Sequence, residues 1–344
     1  MTVEQIIEAI RTCSRGEKPR YDISDILHSH RCYALIEKSK DPMELVKQAA
    51  NRVAIKERYA ACERFFETAK FPYAVIKGAI LSNSVYGDST LRISGDIDIL
   101  INRRDVDDAK RILKECGFIQ GRISGDTIVP FTRKELLYQS AMSHQTAPFI
   151  KATANKLCPY VNLDINMDIL WGESEQKSDM DIVLSHREQV SIFGMNIYKL
   201  TSDMEFIALC LHHYKDMNSI YLLSGHGLRL GLFCDIYFYI KNVCPSAVTI
   251  SRLAGQLNVG KYLYVCLSHT MEIFDDSILS PYIKTLEEYK DEELLNGFGL
   301  NDKERKYWDI PLAQRLFHNN LPEYMQKFLS DSDVEKIRIN RENM

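Results

Sequence analysis

Residues 95–101, GDIDILI, place two carboxylates two positions apart at the start of an apolar run. Side chains of a strand alternate between its two faces, so Asp96 and Asp98 point one way while the isoleucines between and after them point the other. Carboxylates roughly 6 to 7 Å apart repel each other by about 0.6 kcal/mol in water, and by more where water is partly excluded. The pair therefore favours a nearby cation, and Mg²⁺ prefers such oxygen ligands. The spacing alone fits equally well a solvated pair of carboxylates at a strand end.

A strand, a glycine and a helix precede this pair. Residues 73–77, YAVIK, have the composition of a short buried strand, Gly78 follows, and residues 79–86 continue as a helix. A helix N-terminus offers unpaired N–H groups and a partial positive charge, and a glycine lets a phosphate approach the backbone. Lys77 adds a positive charge beside this glycine. The segment therefore predicts a phosphate-binding site opposite the carboxylates.

Arg92 lies in the turn-rich segment, residues 87–94, that leads into the carboxylate pair. Its guanidinium is expected either to contact a phosphate or to bind an acidic neighbour and so fix the loop. The sequence leaves these two alternatives open.

Residues 77–100 resemble the DNA polymerase beta-like nucleotidyltransferase superfamily. The likeness rests on a Lys-Gly start and an Arg-x-x-x-Asp-x-Asp-x-Leu end, which are here Lys77, Gly78, Arg92, Asp96, Asp98 and Leu100. The chain is most similar to a poorly characterised bacterial group described only as nucleotidyltransferase family proteins. The likeness is specific over about residues 73–117 and is weaker on either side.

This resemblance implies an α+β fold, with a small mixed nucleotidyltransferase sheet flanked by helices, an N-terminal helical cap and a C-terminal helical domain. It also implies two Mg²⁺ or Mn²⁺ ions on three carboxylates, and transfer of a nucleoside monophosphate from a nucleoside triphosphate with release of pyrophosphate. The superfamily's usual Gly-Ser pair is Gly78-Ala79 here, so the serine hydroxyl that commonly touches the triphosphate is missing. Backbone N–H groups remain available for that contact.

The third carboxylate is expected on a later strand, residues 161–169, VNLDINMDI, in which apolar and polar residues alternate. The resemblance implies an aspartate followed two positions on by a polar residue, which favours Asp164 over Asp168. We therefore expect Asp96 and Asp98 to bind both metal ions and Asp164 to bind the catalytic one. Without the upstream motif, the same alternation would indicate an edge strand with an ordinary solvated face.

Helical patterns before and after this region predict three segments. Residues 1–70 are expected to form an N-terminal helical region, residues 71–200 the nucleotidyltransferase catalytic domain, and residues 201–344 a C-terminal helical domain. The expected catalytic domain ends with a hairpin about Gly194.

Two helix starts carry sequence signatures. Thr2 with Gln5 predicts a capping box, and Asp41 predicts the N-cap of a helix over about residues 42–70. Residues 118–160 are mixed and turn-rich, and the sequence leaves them without an assigned structure.

Two basic residues of the C-terminal domain are further candidates. His213 and Lys215 lie near the end of its first apolar helix, and a second apolar helix contains Asp235. In the related group a histidine-containing helix and a following Leu-x-Asp helix recur, which makes His213 and Lys215 candidate phosphate or substrate contacts. Basic residues also stabilise the dipole at a helix C-terminus, so a structural role is equally open. His28 and His30, without a carboxylate or cysteine partner, are expected to be surface residues and not metal ligands.

Length, charge and cysteine usage limit the classes of protein. The 344 residues, 45% of them hydrophobic, are enough for two or three compact units. The net charge of -4 without a block of like charges argues against long nucleic acids as partners. No apolar run approaches about 18 residues, and the N-terminus lacks the regions of a signal peptide. The nine cysteines show no C-x-x-C spacing, which is typical of reduced thiols in a cytoplasmic protein. Together with the missing apolar run, this predicts a soluble cytoplasmic protein with no membrane partner.

The predicted function is metal-dependent nucleotidyl transfer from a nucleoside triphosphate to a small-molecule acceptor. Two other classes stay open. One is a transferase that modifies a protein or a tRNA end, as toxins of the superfamily do; the other is a nucleotide-binding scaffold without turnover, which Ala79 makes credible. A basic groove would favour tRNA, and a closed pocket within residues 200–240 would favour a small molecule.

Overall fold

The computed structural model describes residues 1–32, 34–36, 42–92, 94–142 and 144–343. The chain divides into two compact units. One unit, Lys38–Glu205, contains the main sheet, and the other combines Met1–Glu37 with Phe206–Met344 and is helical. The α+β fold and its mixed sheet, expected from the sequence, are confirmed.

Helices and strands are numbered along the chain. The helical unit begins with α1 (Val3–Ser14) and α2 (Ser24–Ser29). The sheet unit follows with α3 (Pro42–Thr68), β1 (Tyr73–Ile76), α4 (Gly78–Tyr86), β2 (Asp96–Ile101), α5 (Val106–Glu115), β3 (Ile119–Ser124), β4 (Thr127–Pro130), α6 (Arg133–Met142), β5 (Phe149–Ala152), β6 (Tyr160–Asn166), α7 (Met180–Ser185), β7 (Arg187–Ile192) and β8 (Met195–Leu200). The later elements are α8 (Ser202–Asn218), α9 (Ile220–His226), α10 (Leu230–Val243), α11 (Ala247–Gln256), α12 (Gly260–Phe274), α13 (Ser280–Thr285), α14 (Glu292–Asn296), β9 (Gly297–Phe298), β10 (Lys306–Tyr307), α15 (Leu312–Leu316), α16 (Leu321–Tyr324) and α17 (Asp331–Asn343).

The main sheet has the strand order β4-β3-β5-β6-β2-β1-β8-β7. Its centre is mixed, since β2 pairs antiparallel with β1 and parallel with β6. In the β2–β6 pair, Asp96 lies opposite Asn162 and Asp98 lies opposite Asp164. Paired residues of neighbouring strands share a face, so these four polar side chains project from the same side of the sheet.

The other side of β2 and β6 is apolar and packs under helices α3 and α5 of the same unit. Ile99 and Ile165 are completely buried there, together with Phe65 from α3 and Leu113 from α5. Truncating one such side chain to alanine typically costs about 2–5 kcal/mol. The alternation seen in the sequence therefore fixes which face is core and which face carries the aspartates.

Several local predictions are confirmed. Thr2 and Gln5 form the reciprocal capping box of α1, and β7 pairs with β8 in a hairpin that turns at Phe193 and Gly194. The helix that starts at Pro42 ends at Thr68, and its predicted N-cap, Asp41, lies outside the described residues. Among the helices of the described residues, none combines the length and apolar character needed to cross a bilayer.

Candidate active site

Three aspartates meet at the centre of the sheet. Asp96 opens β2, Asp98 follows on the same face, and the parallel register puts Asp164 of β6 directly beside Asp98. Asp98 is buried, whereas Asp96 and Asp164 are half-buried. The structure thus brings together the three carboxylates that the sequence singled out.

Asp98 is held by two donors from opposite sides. Lys77 Nζ lies 3.1 Å from Asp98 Oδ1, and Asn166 Nδ2 donates to the same oxygen at 3.0 Å. Asn166 is itself oriented by Gln145, whose Nε2 donates to Asn166 Oδ1 at 2.7 Å. Among the described residues, no hydrogen bond reaches Asp98 Oδ2, so this oxygen is the one that can meet a ligand.

Asp96 is oriented by the loop that precedes it. Ser94 Oγ donates to Asp96 Oδ1 at 2.9 Å, and Arg58 of α3 donates to the carbonyl oxygen of Ser94. Neither residue is among the site residues predicted from the sequence. Neither has a periodic or motif signal, because their roles depend on contacts formed only when α3 packs beside the loop.

The electrostatics of the group are dominated by negative charge. Burial, followed by the charges of Asp98 and Asp96, raises the pKa of Asp164 to about 7, and Lys77 opposes this shift. One lysine therefore does not compensate three carboxylates. Near neutral pH, Asp164 is divided between its protonated and ionised forms, so it can accept either a cation or a proton.

The backbone changes conformation sharply where β1 meets α4. Lys77 has φ 59° and Gly78 has φ 45°, so two consecutive residues adopt left-handed conformations. A left-handed conformation costs a non-glycine residue about 1–2 kcal/mol, and such strain is concentrated at functional sites. The first intrahelical bond of α4 runs from Leu81 N–H to the Lys77 carbonyl oxygen. The N–H groups of Gly78 and Ala79 precede that bond, so they have no acceptor within the helix.

The side chains of Ala79 and Arg92 differ in their exposure to solvent. The Ala79 side chain is buried in the core cluster, so only its backbone N–H is suited to an anion. Arg92 is half-exposed, and its N–H donates to Ser82 Oγ at 2.9 Å, which fastens the loop to α4. A contact between the Arg92 guanidinium and a phosphate stays a prediction.

Asp168 lies beyond the end of β6 and has a different environment from Asp164. It is buried, and its carboxylate accepts N–H groups from Leu170 at 2.9 Å and from Ser178 at 3.3 Å. Its contacts fix the loop after the strand.

Asn162 was placed on the polar face by the sequence but was given no role. It lies opposite Asp96, and its Oδ1 is buried without a hydrogen-bond donor. An unsatisfied buried acceptor is costly, so this oxygen is a further candidate contact for a ligand beside the aspartates.

His213 and Lys215 belong to the helical unit. His213 is completely buried, with Nε2 3.2 Å from Asp235 Oδ2, and Lys215 Nζ lies 3.7 Å from Asp216 Oδ1. One ligand atom each of His212, His213 and Asp216 lie within 4.8 Å of one another, a set of groups that can hold a divalent metal. The expected contacts of His213 and Lys215 with a phosphate or substrate stay predictions.

Comparison with known proteins agrees with the motif. A family model described as an uncharacterised nucleotidyltransferase matches residues 44–275, more than half of the chain. The matched segment includes the three aspartates, Lys77 and Gly78. No significant match was found among curated proteins or among solved structures.

Proposed function

Because the chain belongs to this family of uncharacterised nucleotidyltransferases, we propose that it transfers a nucleoside monophosphate from a nucleoside triphosphate to a small-molecule acceptor. We place it in a bacterial group of the polymerase beta-like superfamily. The proposal is supported most by the sheet register, with Asp164 on one side of Asp98 and Lys77 on the other. In the reaction, a hydroxyl or phosphate oxygen of the acceptor bonds to the α-phosphorus while the bond to the departing pyrophosphate breaks.

Asp96, Asp98 and Asp164 suit two Mg²⁺ or Mn²⁺ ions. All three offer carboxylate oxygens on one face, and burial together with the charges of Asp98 and Asp96 raises the pKa of Asp164, a combination that a divalent ion would relieve. When bound, such ions neutralise the triphosphate and lower the pKa of the acceptor hydroxyl. The hydrogen bonds of Ser94 and Asn166 hold two of the carboxylates in place for this task.

Asp164 is the proposed proton acceptor. A general base works best when its pKa lies near the operating pH, and in the metal-free protein the pKa of Asp164 is about 7. Its carboxylate takes the proton of the acceptor hydroxyl as the oxygen attacks the α-phosphorus.

Lys77, Gly78 and Ala79 are proposed to bind the triphosphate. The free N–H groups at the start of α4 and the partial positive charge of the helix end suit an anion, and the ammonium group of Lys77 adds a full charge. Backbone donors thus replace the serine hydroxyl that Ala79 lacks.

A methyl group at position 78 is expected to weaken triphosphate binding. A Cβ built on Gly78 would lie 3.4 Å from Ser94 Oγ and 3.9 Å from the Asp96 carbonyl oxygen, on the approach to the carboxylates. We expect Gly78→Ala to raise the Kd for a non-hydrolysable triphosphate at fixed Mg²⁺ by roughly tenfold or more, as for a lost hydrogen bond to a charged group. Titration calorimetry measures this change.

Gly87→Ala is the matched control for that variant. Gly87 also has a left-handed conformation, with φ 68°, and a Cβ there meets nothing within 4 Å. Both variants carry a similar backbone penalty, about 1–2 kcal/mol in the free energy of unfolding. Equal triphosphate affinity in the two variants would show that Gly78 is not part of the binding site.

The affinity for Mg²⁺ is expected to depend on pH through Asp164. Below about pH 7 a metal ion must displace the proton of Asp164, so affinity should rise by up to about tenfold per pH unit and level off above pH 7. Calorimetry in two buffers of different ionisation enthalpy counts the released proton. In Asp164→Asn the slope between about pH 5 and 7 should disappear, and an unchanged slope would assign the titration to another group.

The acceptor is proposed to be a small molecule because the chain has a net charge of -4 and no block of basic residues. The test uses each nucleoside triphosphate labelled at the α-phosphate, with Mg²⁺ or Mn²⁺ and separated small-molecule, tRNA and protein fractions of a bacterial extract. We expect label in the small-molecule fraction with equimolar pyrophosphate. Label in tRNA or protein would support a transferase that modifies those macromolecules. The absence of transfer from any triphosphate would support a nucleotide-binding scaffold without turnover.

A further inference from the structure

An open cavity of about 670 Å³ lies within the helical unit. Its lining comes from α2 and its C-terminal end, the connection between α9 and α10, and residues 315–322, with Ile6 from α1. This volume is in the range of sites that bind small organic molecules. Two arginines and three histidines line it, and among the described lining residues none is an aspartate or glutamate.

Arg315 is the most unusual of these residues. Its side chain is buried, its Nε has no hydrogen-bond acceptor, and no hydrogen bond or ion pair of the Arg315 side chain is found in the described part of the chain. The guanidinium lies 5.6 Å from the ring centroid of Trp308. Burial lowers the pKa of Arg315 to about 10, and the charge of Glu272 opposes this shift. Buried charges in proteins are normally paired, so a counter-charge is missing here.

Two histidines add hydrogen-bond donors to the cavity lining. His30 Nδ1 accepts the Leu230 N–H at 3.0 Å, and His318 Nδ1 accepts the Asn320 N–H at 3.1 Å. Because Nδ1 is the acceptor in each neutral ring, the ring hydrogen is on Nε2, which is then a donor. Burial, followed by the charge of Arg229, lowers the pKa of His30 to about 4, so it contributes a donor without a charge.

His30 was expected at the surface, and this expectation is only partly met. The residue is half-buried because its ring packs 5.4 Å from that of Phe317 and its Nδ1 binds the start of α10.

We propose that this cavity binds a small organic phosphate, with Arg315 and Arg229 as its charge partners and His30 and His318 as further donors. Guanidinium groups bind phosphate oxygens through two parallel hydrogen bonds, and the several donors here exceed what a single carboxylate needs. The apolar part of the lining, which includes Ile26, Leu228 and Leu321, is suited to the organic part of the ligand. The proposal does not rest on nucleotidyl transfer.

The test measures binding of inorganic phosphate and of glucose 6-phosphate to the full chain by calorimetry, at constant ionic strength set with chloride. We expect saturable binding to the wild type and a Kd roughly tenfold to a hundredfold higher in Arg315→Met, as for lost hydrogen bonds to a charged group. Without phosphate, the melting temperature of Arg315→Met should be no lower than that of the wild type, because an unpaired buried charge is removed.

Arg252→Met is the matched control. Arg252 is exposed on α11, donates to Gln256 and does not line the cavity, so its loss changes the net charge equally without changing the cavity. Arg229→Met is a second test if Arg315→Met fails to fold, and it should also weaken binding. Arg315 and Arg229 both lie in the helical unit, so weaker binding in their variants separates this site from the aspartates of the sheet unit.

Three results would overturn the proposal. The first is an absence of saturable phosphate binding to the wild type. The second is equal affinity in the wild type and in the Arg315 and Arg229 variants. The third is tighter binding of acetate than of phosphate, because a carboxylate site would then be indicated.

Discussion

The double variant Asp96→Asn/Asp98→Asn is expected to lose metal-dependent triphosphate binding and to lower nucleotidyl transfer by at least about 10³-fold, the size of a lost electrostatic contributor. Asparagine keeps the volume of each side chain, so Ser94 and Asn166 can stay in place while two negative charges disappear. Calorimetry with Mg²⁺ and a non-hydrolysable triphosphate measures the binding. Transfer from a triphosphate labelled at the α-phosphate measures the activity.

Asp107→Asn/Asp108→Asn is the matched control for the double variant. These two aspartates are exposed on α5 of the same unit, so their loss changes the net charge of that unit equally. The control should bind Mg²⁺ and triphosphate as the wild type does. Undiminished Mg²⁺–triphosphate binding by Asp96→Asn/Asp98→Asn would contradict the assignment of the metal site.

The Asp164 pKa gives a second readout of the same double variant. The charges of Asp98 and Asp96 both raise this pKa, so it should fall towards its ordinary value when they are removed. A titration of Asp164 followed by NMR tests this without any metal or nucleotide. An unchanged pKa would show that burial alone causes the shift.

The placement of the aspartates was predictable because it depends on local periodicity. In β2 and β6 the side chains alternate, so the apolar positions Ile97, Ile99 and Leu163 define the core face and leave the aspartates on the other. The parallel register that sets Asp164 beside Asp98 does not follow from either strand alone. The resemblance predicted only that Asp164 joins the other two aspartates from a later strand, and the register itself is seen first in the structure.

The residues that orient the aspartates were beyond sequence reasoning. Arg58 contacts Ser94 across 36 positions, and Gln145 contacts Asn166 across 21. Such pairs form only after the helix and the strands have packed, so neither partner carries a local pattern. The same holds for His30, whose partner Leu230 is 200 positions away.

Residues 118–160 were left without assignment for a different physical reason. They contain β3, β4, α6 and β5, yet β3 is mostly exposed and has no clean alternation of buried and exposed residues. β3 lies next to the edge strand β4, at an end of the sheet that buries little apolar surface, so its sequence is weakly constrained. Its position depends on pairing with β5, which is a tertiary contact.

Replacement of Asp164 by asparagine is expected to lower turnover by about 10²–10⁴-fold, the usual size of lost general-base catalysis. Triphosphate binding should stay within a few-fold of the wild type, because Lys77, Asp96 and Asp98 remain. Single-turnover transfer of labelled nucleotide, combined with equilibrium titration, separates the two effects. We expect the wild-type rate to fall below about pH 7, and this fall should be absent in the variant, since the titrating carboxyl is gone.

Asp168→Asn is the matched control. Asp168 lies four positions after Asp164 and is buried, whereas Asp164 is half-buried. Within the described residues, the hydrogen bonds of its carboxylate come from backbone N–H groups of the following loop, among them that of Leu170. An asparagine oxygen can still accept one of these, so the free energy of unfolding should fall by about 1 kcal/mol while turnover is kept. If Asp168→Asn abolished turnover and Asp164→Asn did not, the general base would lie on the loop after β6, and the role proposed for Asp164 beside Asp98 would be wrong.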